Sequence, residues 1–516
     1  MTLRVRTSGA AAPLVIETVA GEQLSRAIWL FGGIAPQLLC AGMGRCGRCR
    51  TRFVKDAPPP LPAEEAILPR EDLALGWRLA CRRQTPDGSS SLDLELPGAD
   101  ADARAEAKIY VNTAEELVLA VDLGTTSVCW QALVAKGKER GLTAAEGRFL
   151  NPQAGAGADV MSRLAMAADP RGRRLLSDLV RKALQGVLAA LPGRVSRLCL
   201  AGNTAMTDIF LDRDVAGLCA APYRTSHSGH ETVRLPGLPP IYIPPLPAPF
   251  VGGDISAGLA LLAVDAQRPF ILADMGTNGE FALVGREEVF LASVPLGPAL
   301  EGIGLECGQL AGPETITEFF LTPSGLAARA PGGEITGQAR GISATGYLSL
   351  LAALLGLKLL DNSGHFTDAA PATPLARKVA AGMTRQSRKT RLNLPCSLWL
   401  SAPDVEELLK VKASFALALD KLSAAAAVPW RDMTLYLAGA LGEHVDPGWL
   451  ETTGFAPGGL RVRNAGNTAL KGAALLALQP EAGEAAAQLC AHARVLSLAE
   501  DPDFQRDYCK QMRFGV

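Results

Sequence analysis

The residues best suited to chemistry in the first hundred positions are cysteines. Three fall within ten positions and a fourth comes after 31 intervening residues, as Cys40, Cys46, Cys49 and Cys81. Thiolates at this spacing bind metal ions or iron–sulfur clusters, or pair as disulfides. The first residues contain no apolar run typical of a secretory signal, so we expect a cytoplasmic protein, and stable disulfides are rare there. A zinc site and an iron–sulfur cluster are therefore the main candidates.

The spacing of these cysteines favours the cluster. A four-thiolate zinc site usually has two C-x2-C hooks, whereas this chain has one, flanked by single cysteines. That layout is close to the plant-type 2Fe-2S spacing with one residue added to the first interval. Gly42, Gly44 and Gly47 allow the backbone to take positive φ and turn N–H groups toward sulfur. The pattern predicts a 2Fe-2S cluster on the four cysteines, with zinc as the alternative.

The segments around the cysteines have the order of an α+β β-grasp ferredoxin domain. "LRVRT" and "LVIETV" predict a hairpin, "LSRAIWLFGG" a short helix, and "RCRTRFV" and "LDLELP" two further strands. "GWRLACRRQ" (76–84) resembles the segment that carries the fourth ligand in adrenodoxin-like ferredoxins. We therefore predict a 2Fe-2S ferredoxin-like domain over 1–97 and a polar linker over 98–115.

Arginines are concentrated beside the cysteines, at Arg45, Arg48, Arg50, Arg82 and Arg83. Such a group is either a solvated basic rim or a docking face for an acidic electron-transfer partner. Both interpretations remain open from the sequence.

Two later segments repeat one pattern, in which an acidic turn rich in Gly and Thr connects two apolar strands. They are "ELVLAVDLGTTSVCWQALVA" (116–135) and "RPFILADMGTNGEFALVG" (268–285), with their aspartates 152 residues apart. Two such turns in register indicate a duplicated α/β unit. The predicted site residues are Asp122, Gly124, Thr125 and Thr126 in the first turn and Asp274, Gly276, Thr277 and Asn278 in the second.

The chemistry expected of these turns is phosphate binding. Glycine lets the backbone approach a phosphate, and N–H, hydroxyl and amide groups donate to its oxygens. The aspartates can hold Mg²⁺ through water and orient the attacking nucleophile. Glu280 follows the second turn and is a candidate for orienting water, although a surface strand glutamate fits equally well. The chain contains no Walker motif, which excludes a P-loop protein.

A nucleotide site also needs a pocket for adenosine. "MTLYLAGALGEHV" (433–445) predicts a strand that runs into Gly439 and Gly442, which are suited to contact a flat base and its ribose. A Gly-Asn-Thr sequence occurs at 202–204 and again at 466–468, each time before an apolar helix. These motifs form a second duplicated pair, one in each half.

Together these motifs resemble the superfamily of acetate kinase, sugar kinases, Hsp70 and actin, called ASKHA, which has a duplicated, ribonuclease H-like α/β fold. With a 2Fe-2S domain ahead of it, the chain resembles the reductive activators of corrinoid proteins. The phrases "NPQAGAGADVMSRL" (151–164), "VGGDISAG" (251–258) and "GPALEGIGLECG" (297–308) extend the resemblance over nearly the whole chain. The family's adenosine strand usually ends in Ala-Gly-Gly, and this chain departs from it at Ala440.

The resemblance implies a first ASKHA lobe over 116–205 and a C-terminal ASKHA domain over 206–516. It implies an enzyme that hydrolyses ATP with Mg²⁺ and returns an inactive Co(II) corrinoid protein of a methyltransferase system to Co(I), using an electron from the 2Fe-2S cluster. The implied partners are a corrinoid (cobalamin-binding) protein, an upstream electron donor and a second copy of the chain. The net charge of −1 argues against nucleic acid as a partner, and the most apolar stretch, 347–360, is too short to span a membrane.

Three other functions fit parts of the pattern. An ASKHA ATPase that delivers electrons to a radical dehydratase or an aromatic-ring reductase usually bridges a 4Fe-4S cluster between two short subunits and lacks a separate ferredoxin domain. A small-molecule kinase with a redox-sensing ferredoxin domain would turn over a sugar or acid without a protein partner. A non-catalytic, actin-like protein is disfavoured because both phosphate turns are intact.

Overall fold

In the computed structural model, the described residues fold around three main β-sheets that follow one another in sequence order. The described residues are 1–7, 12–31, 34, 42, 44, 47–86, 91–97, 106–111, 115–302, 304–367, 371–386, 389–439, 442 and 444–515. Cys40, Cys46 and Ala440 lie outside these ranges, so the predictions that concern them stay predictions.

The first sheet forms because apolar residues alternate along short strands, as Leu3 and Val5 do between more exposed neighbours. Its elements are β1 (Thr2–Arg6), β2 (Leu14–Glu17), α1 (Leu24–Arg26), β3 (Arg50–Phe53), α2 (Pro62–Glu65), α3 (Arg70–Ala74), β4 (Trp77–Leu79) and β5 (Ser91–Glu95). The strand order is β2-β1-β5-β3-β4, with β1 and β5 parallel and the other pairs antiparallel. A π-helical turn continues α1 over Ala27–Phe31, and the helix buries its apolar face on the sheet. This is the β-grasp arrangement that the sequence predicts.

The second sheet has seven strands in the order β11-β12-β10-β7-β8-β9-β6. Its strands are β6 (Glu106–Ile109), β7 (Leu117–Leu123), β8 (Ser127–Val134), β9 (Thr143–Leu150), β10 (Val195–Ala201), β11 (Glu231–Val233) and β12 (Ile241–Ile243). Its helices are α4 (Val160–Ala167), α5 (Pro170–Ala190), α6 (Thr204–Phe210), α7 (Ala216–Cys219) and α8 (Gly253–Leu262). Strand β7 is apolar and buried almost throughout, which is typical of a central strand covered on both faces.

The third sheet has six strands in the order β25-β24-β13-β14-β15-β26, beside three small sheets. Its region contains the strands β13 (Phe270–Met275), β14 (Asn278–Val284), β15 (Val289–Pro295), β16 (Thr315–Ile316), β17 (Glu318–Thr322), β18 (Gly325–Ala330), β19 (Gly333–Glu334), β20 (Gly341–Ile342), β21 (Met383–Gln386), β22 (Lys389–Asn393), β23 (Trp399–Ser401), β24 (Thr434–Ala438), β25 (Arg461–Gly466) and β26 (Ala493–Leu496). Its helices are α9 (Ala344–Gly356), α10 (Pro374–Ala380), α11 (Ala402–Ala426), α12 (Pro447–Thr453), α13 (Thr468–Leu478), α14 (Ala482–Ala491) and α15 (Phe504–Gln511).

The second and third sheets share one topology, as the duplicated turns predict. In each, three antiparallel strands follow one another, β7-β8-β9 and β13-β14-β15. The first strand of each set also pairs in parallel with a later strand, β10 or β24, and that strand pairs in parallel with β12 or β25. The ASKHA duplication is therefore present in the strand order itself.

Two helices join the lobes, α8 and α13, and they pack closely because small residues line their contact. A Cβ on Gly472 would lie 2.0 Å from the carbonyl oxygen of Ala257, and one on Gly258 would lie 2.9 Å from the Thr468 hydroxyl. Larger residues at Gly258 and Gly472 would clash with the facing helix, so the two helices could not approach each other this closely. The lobes are therefore joined by a closely packed helix crossing.

Two domain limits differ from those expected from the sequence. Glu106–Ile109, inside the predicted linker 98–115, forms β6 and pairs antiparallel with β9. The first lobe also extends beyond the predicted limit at 205, because β11 and β12 pair with the rest of its sheet through Ile243. All four residues of β6 are exposed, and β11 and β12 have three residues each, so these strands carry too little hydrophobic alternation to be recognised. Strand β12 also lies between prolines.

Among the described residues, no helix has both the length and the apolar character needed to cross a bilayer. The apolar stretch at 347–360 falls largely on α9, which is buried through Leu348, Leu350, Leu351 and Leu354. The prediction of a buried helix there is confirmed, although α9 begins three residues earlier and ends at Gly356.

Candidate functional site

The turns that connect β7 to β8 and β13 to β14 face each other across a cavity of about 430 Å³. All but one of the predicted nucleotide-site residues line it, namely Asp122, Gly124, Thr125, Thr126, Asp274, Gly276, Thr277, Asn278, Glu280 and Gly439. The exception is Gly442, which lies in the turn after β24, where its N–H donates to the Gly439 carbonyl at 3.1 Å. The two turns, 152 residues apart in the chain, thus form one site.

Polar side chains of the first lobe form hydrogen bonds with the backbone of the first phosphate turn. A Cβ on Gly124 would lie 2.6 Å from the Ser127 carbonyl oxygen, so this position has no room for a larger residue. Asn151 donates to the Gly124 carbonyl at 2.8 Å. The buried guanidinium of Arg163 donates to the Thr125 carbonyl. These bonds use the carbonyl oxygens of Gly124 and Thr125 and fix the backbone of the turn.

Two asparagines at helix N-termini reach across the cleft in opposite directions. Asn467, which caps α13, donates to Asp122 of the first lobe at 2.7 Å. Asn203, which caps α6, donates to Glu280 of the C-terminal lobe at 2.5 Å. Each side-chain oxygen accepts a backbone N–H of its own helix, so both ends of each amide are fixed. The repeated Gly-Asn-Thr motifs therefore orient the acidic residues of the opposite lobe.

The cleft buries several carboxyl groups close to one another, and burial first, then their mutual repulsion, changes their ionisation. Burial and the charges of Asp254 and Asp122 raise the pKa of Asp274 to about 8. Burial raises the pKa of Asp122 to about 7, against the opposing hydrogen bond from Asn467. Burial raises the pKa of Asp254 to about 6. Neighbouring buried carboxylates repel each other, and a divalent cation relieves this repulsion.

Glu280 lies opposite Asp274 on the neighbouring strand, with 6% of its surface exposed. The alternative of a surface glutamate is therefore wrong. Burial, followed by the charges of Asp254 and Asp274, raises its pKa well above the ordinary value. A carboxyl group held by Asn203 in this way can orient a water molecule or take up a proton at the cavity wall.

Two acidic residues of the cleft, Asp254 and Glu301, are absent from the sequence predictions. Asp254 is in the first turn of α8, and Glu301 ends a short 3₁₀ segment, Pro298–Glu301. Both lie inside phrases that carry the family resemblance, "VGGDISAG" and "GPALEGIGLECG". The signal was an acidic residue next to a glycine, but neither segment contains the strand and turn pattern of the phosphate turns.

Glu301 contacts both phosphate turns. Its two carboxylate oxygens accept hydrogen bonds from the hydroxyl of Thr126 in one lobe and, at 2.9 Å, from that of Thr277 in the other. Burial raises its pKa, although both of these bonds oppose the shift. Two of the three threonine hydroxyls expected to bind phosphate, those of Thr126 and Thr277, thus donate to a carboxylate of the same chain.

The acidic residues do not form a direct metal cage in the described part of the chain, where no group of three or more His, Cys, Asp or Glu side chains is placed to hold an ion. Carboxylates arranged around a cavity are suited to a hydrated Mg²⁺ that also contacts phosphate oxygens. Asp122 and Asp274 belong to different lobes and line the same cavity, so they fit the binding of a hydrated Mg²⁺ through its water molecules.

Gly439 lies where β24 ends beside the second phosphate turn. It has φ +81°, and a Cβ there would lie 2.5 Å from a carboxylate oxygen of Asp274. Glycine at this position lets the strand end approach the aspartate. Contact of Gly439 and Gly442 with a nucleotide base stays a prediction.

The cavity continues along β6, β8 and β9, beyond the first phosphate turn. Trp130 and Lys108 line this part, together with an exposed Glu106–Arg148 ion pair at 3.2 Å. Strand β6, which lies inside the predicted linker, therefore forms part of the cavity wall.

Cys49 and Cys81, two of the four predicted cluster ligands, are buried in the first domain, with 2% and 6% of their surfaces exposed. The backbone N–H of Ala80 donates to the Cys49 carbonyl at 3.0 Å, and Gln23 donates to the Cys81 carbonyl at 2.7 Å. Cys49 precedes β3 and Cys81 follows β4, and these two strands pair with each other. The pairing of β3 with β4 thus brings Cys81, the remote cysteine, close to Cys49 at the end of the cysteine loop.

The glycines of the cysteine loop have the conformation expected from the sequence. Gly42, Gly44 and Gly47 have φ values of +85°, +71° and +67°. Side chains would be strained at all three positions. Thiolate donors on paired strands and a glycine loop with positive φ fit the requirements of an iron–sulfur cluster.

The arginines beside the cysteines do not form one free face. Arg83 makes two hydrogen bonds to the buried carboxylate of Glu64, at 2.9 and 2.5 Å. Two backbone N–H groups also donate to Glu64, and although burial opposes the shift, these partners lower its pKa. Arg48 is bound to the C-terminal lobe. Arg45 lies outside the described residues.

Comparison with known proteins gives matches over most of the chain. It is 27% identical to the corrinoid activation enzyme RamQ of Eubacterium limosum over 439 residues, which are 77% of this chain and 70% of that one. It is 25% identical to the Co(II) methylated amine-specific corrinoid protein reductase of Methanosarcina barkeri over 406 residues, 70% of each chain.

A solved structure of a reductive activator for corrinoid, iron-sulfur protein matches with a TM-score of 0.67 and 19% identity, covering 99% of this chain and 98% of that one. The likeness shows that the two chains share a fold. Residues 117–267 match the family model for the RACo middle region, and residues 268–515 match the model for the C-terminal domain of RACo, the ASKHA domain. Because these two models together account for residues 117–515, the chain belongs to the RACo family.

Proposed function

We propose that this protein is an ATP-dependent reductive activator, which returns an inactive Co(II) corrinoid protein of a methyltransferase system to Co(I). The relatives named for corrinoid activation and for Co(II) corrinoid protein reduction support this function. One observation carries the proposal in the structure itself. The two phosphate turns of a duplicated ATPase fold face one cavity, downstream of a domain with buried cysteines.

The residues of the cleft have distinct roles in this proposal. Asp122 and Asp274 hold a hydrated Mg²⁺ between the lobes, and the threonine hydroxyls of the two turns donate to the phosphate oxygens. Glu280, fixed by Asn203, orients the water that attacks the terminal phosphate. ATP and water are converted to ADP and inorganic phosphate.

The first domain holds the redox group. Cys40, Cys46, Cys49 and Cys81 bind a 2Fe-2S cluster, which when bound supplies the single electron that reduces Co(II) to Co(I). The paired strands position the two described cysteines, and the positive φ of Gly42, Gly44 and Gly47 is a backbone conformation that allows N–H groups to donate to the sulfur atoms of a bound cluster. Such hydrogen bonds tune a cluster's potential.

ATP is required because the electron transfer is uphill. Plant-type clusters have potentials near about −400 mV, and Co(II) in a corrinoid protein is harder to reduce than that. Each ~59 mV of deficit disfavours the one-electron transfer by a factor of ten. Closure of two lobes around a nucleotide is a two-state element that can bias the complex with the partner.

Some partners are proposed from the family resemblance alone. They are an upstream protein that reduces the cluster and a second copy of this chain in a homodimer. We also propose that the protein works in the cytoplasm, where its cysteines stay reduced.

ATP hydrolysis by the full-length protein, with and without a Co(II) corrinoid protein, tests this function. We expect slow hydrolysis that rises when the corrinoid protein is added. Asp274→Asn should lower the stimulated rate by about 10² or more, because it removes the negative charge that holds Mg²⁺. Asp178→Asn, on the exposed surface of α5, is the matched control. Hydrolysis that is indifferent to both the corrinoid protein and Asp274→Asn would overturn the proposal.

A further inference from the structure

The first domain is attached to the C-terminal lobe through Arg48, which lies one residue before Cys49. One guanidinium nitrogen of Arg48 is 3.0 Å from the Gly302 carbonyl oxygen, 2.9 Å from that of Gly308 and 3.1 Å from the side-chain oxygen of Gln309. These acceptors are more than 250 residues away in the chain. The cysteine loop is therefore bound directly to a segment of the ATPase.

The same domain also contacts the other lobe. Leu30 is 4% exposed and packs in one apolar cluster with Ala156, Val160 and Leu164 of the first lobe. A Cβ on Gly155 would lie 3.0 Å from the Leu30 side chain. The domain thus bridges both lobes, so its attachment depends on how the lobes are arranged.

The Arg48 acceptors begin at the residue after Glu301. A Cβ on Gly302 would lie 2.4 Å from the backbone nitrogen of Gln309, and one on Gly308 would lie 2.5 Å from the Gly302 carbonyl oxygen. The two sides of this loop are in close contact, so a displacement of Glu301 moves the Arg48 acceptors with it.

A nucleotide and Glu301 compete for the same hydrogen-bond donors. Each threonine hydroxyl has one hydrogen to donate. The hydroxyls of Thr126 and Thr277 both donate to Glu301 in this structure. Phosphate oxygens can accept these bonds only if the carboxylate leaves, and the negative charges of phosphate and carboxylate also repel each other.

We infer that Glu301 takes the place of a nucleotide phosphate when the cleft is empty, and that its displacement by nucleotide releases Arg48 and frees the first domain from the C-terminal lobe. We call this sequence of events the relay, and Glu301 and Arg48 are positioning residues in it. The relay deepens the proposed function, on which it rests, because it connects the ATP site to the movement of the electron-carrying domain.

Hydrogen exchange of the full-length, cluster-containing protein tests the relay. Exchange is measured over 47–53 and 304–309, with and without Mg²⁺ and a non-hydrolysable ATP analogue. We expect nucleotide to speed exchange in both segments by about tenfold or more, in line with the loss of a hydrogen bond to a charged group. Arg48→Ala should show this fast exchange without nucleotide and respond little when nucleotide is added.

Arg50→Ala is the matched control, since Arg50 pairs with Asp72 at 3.6 Å and stacks on Trp77, all within the first domain. It should keep the nucleotide response.

Glu301→Gln tests the competition between Glu301 and nucleotide. The two carboxylate oxygens of Glu301 accept from Thr126 and Thr277, but an amide accepts only through its oxygen, so glutamine cannot make both bonds in this way. This variant should bind the Mg²⁺–nucleotide analogue several-fold more tightly by calorimetry, whereas a residue that binds the metal or nucleotide directly would weaken binding when substituted.

The possible results distinguish failure of the relay from failure of the proposed function on which it rests. Calorimetry that detects no nucleotide binding to the unmodified protein overturns the proposed function and the relay together. Binding without any change in exchange overturns the relay alone. So does an Arg50→Ala protein that behaves like Arg48→Ala, or a Glu301→Gln protein with weakened nucleotide affinity.

Discussion

The cleft carboxylates are poised between their protonated and ionised forms. The pKa of Asp122 is raised to about 7 and that of Asp274 to about 8, and both groups have ordinary values of 3.8. The protonated forms stabilise the folded protein when no cation is present. Binding of Mg²⁺ favours the ionised forms, so metal binding releases protons at neutral pH.

These shifts predict how stability depends on pH. A carboxyl group with a raised folded-state pKa contributes stability below its unfolded pKa, and this contribution is lost as pH rises through the folded value. Each pH unit between the two values costs about 1.4 kcal/mol per group. Without Mg²⁺ and nucleotide, we therefore expect the Tm of the ATPase region to fall from pH 5 to pH 8, as measured by calorimetry.

Asp274→Asn should make that fall shallower, because asparagine stays neutral at every pH. Asp178→Asn, on the exposed face of α5, should leave the slope of Tm against pH unchanged. Equal slopes for the unmodified protein and Asp274→Asn would show that Asp274 does not titrate in this range.

At the residue scale, the sequence predicted those site residues that lie in contiguous motifs. Each phosphate turn combines its aspartate, glycine and threonine or asparagine within five positions, so local pattern is sufficient. Asp254 and Glu301 were missed because they reach the cavity from a helix and a 3₁₀ turn elsewhere in the chain. Only tertiary packing reveals that they belong to the site.

At the element scale, the long apolar strands were predicted, whereas β6, β11 and β12 were not. Strands β7, β8, β13 and β14 have seven, eight, six and seven residues, and hydrophobic pattern identifies such lengths. Strand β6 has four exposed residues and exists because it pairs with β9. A strand stabilised by its partner leaves little signal in its own sequence.

The α8–α13 crossing gives a prediction at this scale. Gly472→Ala places a Cβ 2.0 Å from the Ala257 carbonyl oxygen, so the helices must move apart. We expect a loss of about 1–3 kcal/mol in the free energy of unfolding, as is usual for overpacking, measured by denaturant titration.

Gly186→Ala is the control for this substitution. It lies inside α5, and no atom is found within 4 Å of the added Cβ. Alanine favours the helix there, so we expect a gain of about 0.4–1 kcal/mol. Equal effects of the two substitutions would mean that close packing at the crossing does not contribute to stability.

At the scale of the whole molecule, the protein combines a two-lobed ATPase with a domain that contacts both lobes. The sequence predicted the units and their order, because each carries its own pattern of motifs. It did not predict that Arg48 binds the ATPase, since an arginine beside a cysteine loop is equally compatible with solvent, a partner or another domain. The surface that a domain uses for docking is decided by its three-dimensional placement.

In the proposed function, ATP in the cleft drives one electron from the first domain to a Co(II) corrinoid protein. The most direct measurement is a single-turnover reaction of the full-length protein, with its cluster reduced beforehand, mixed with that partner with and without Mg-ATP. Corrin absorbance reports Co(I). We predict mostly Co(II) without ATP, Co(I) when Mg-ATP is added, and little Co(I) with Asp274→Asn. Formation of Co(I) to the same extent without nucleotide would contradict the account, because the ATPase would then not drive this electron.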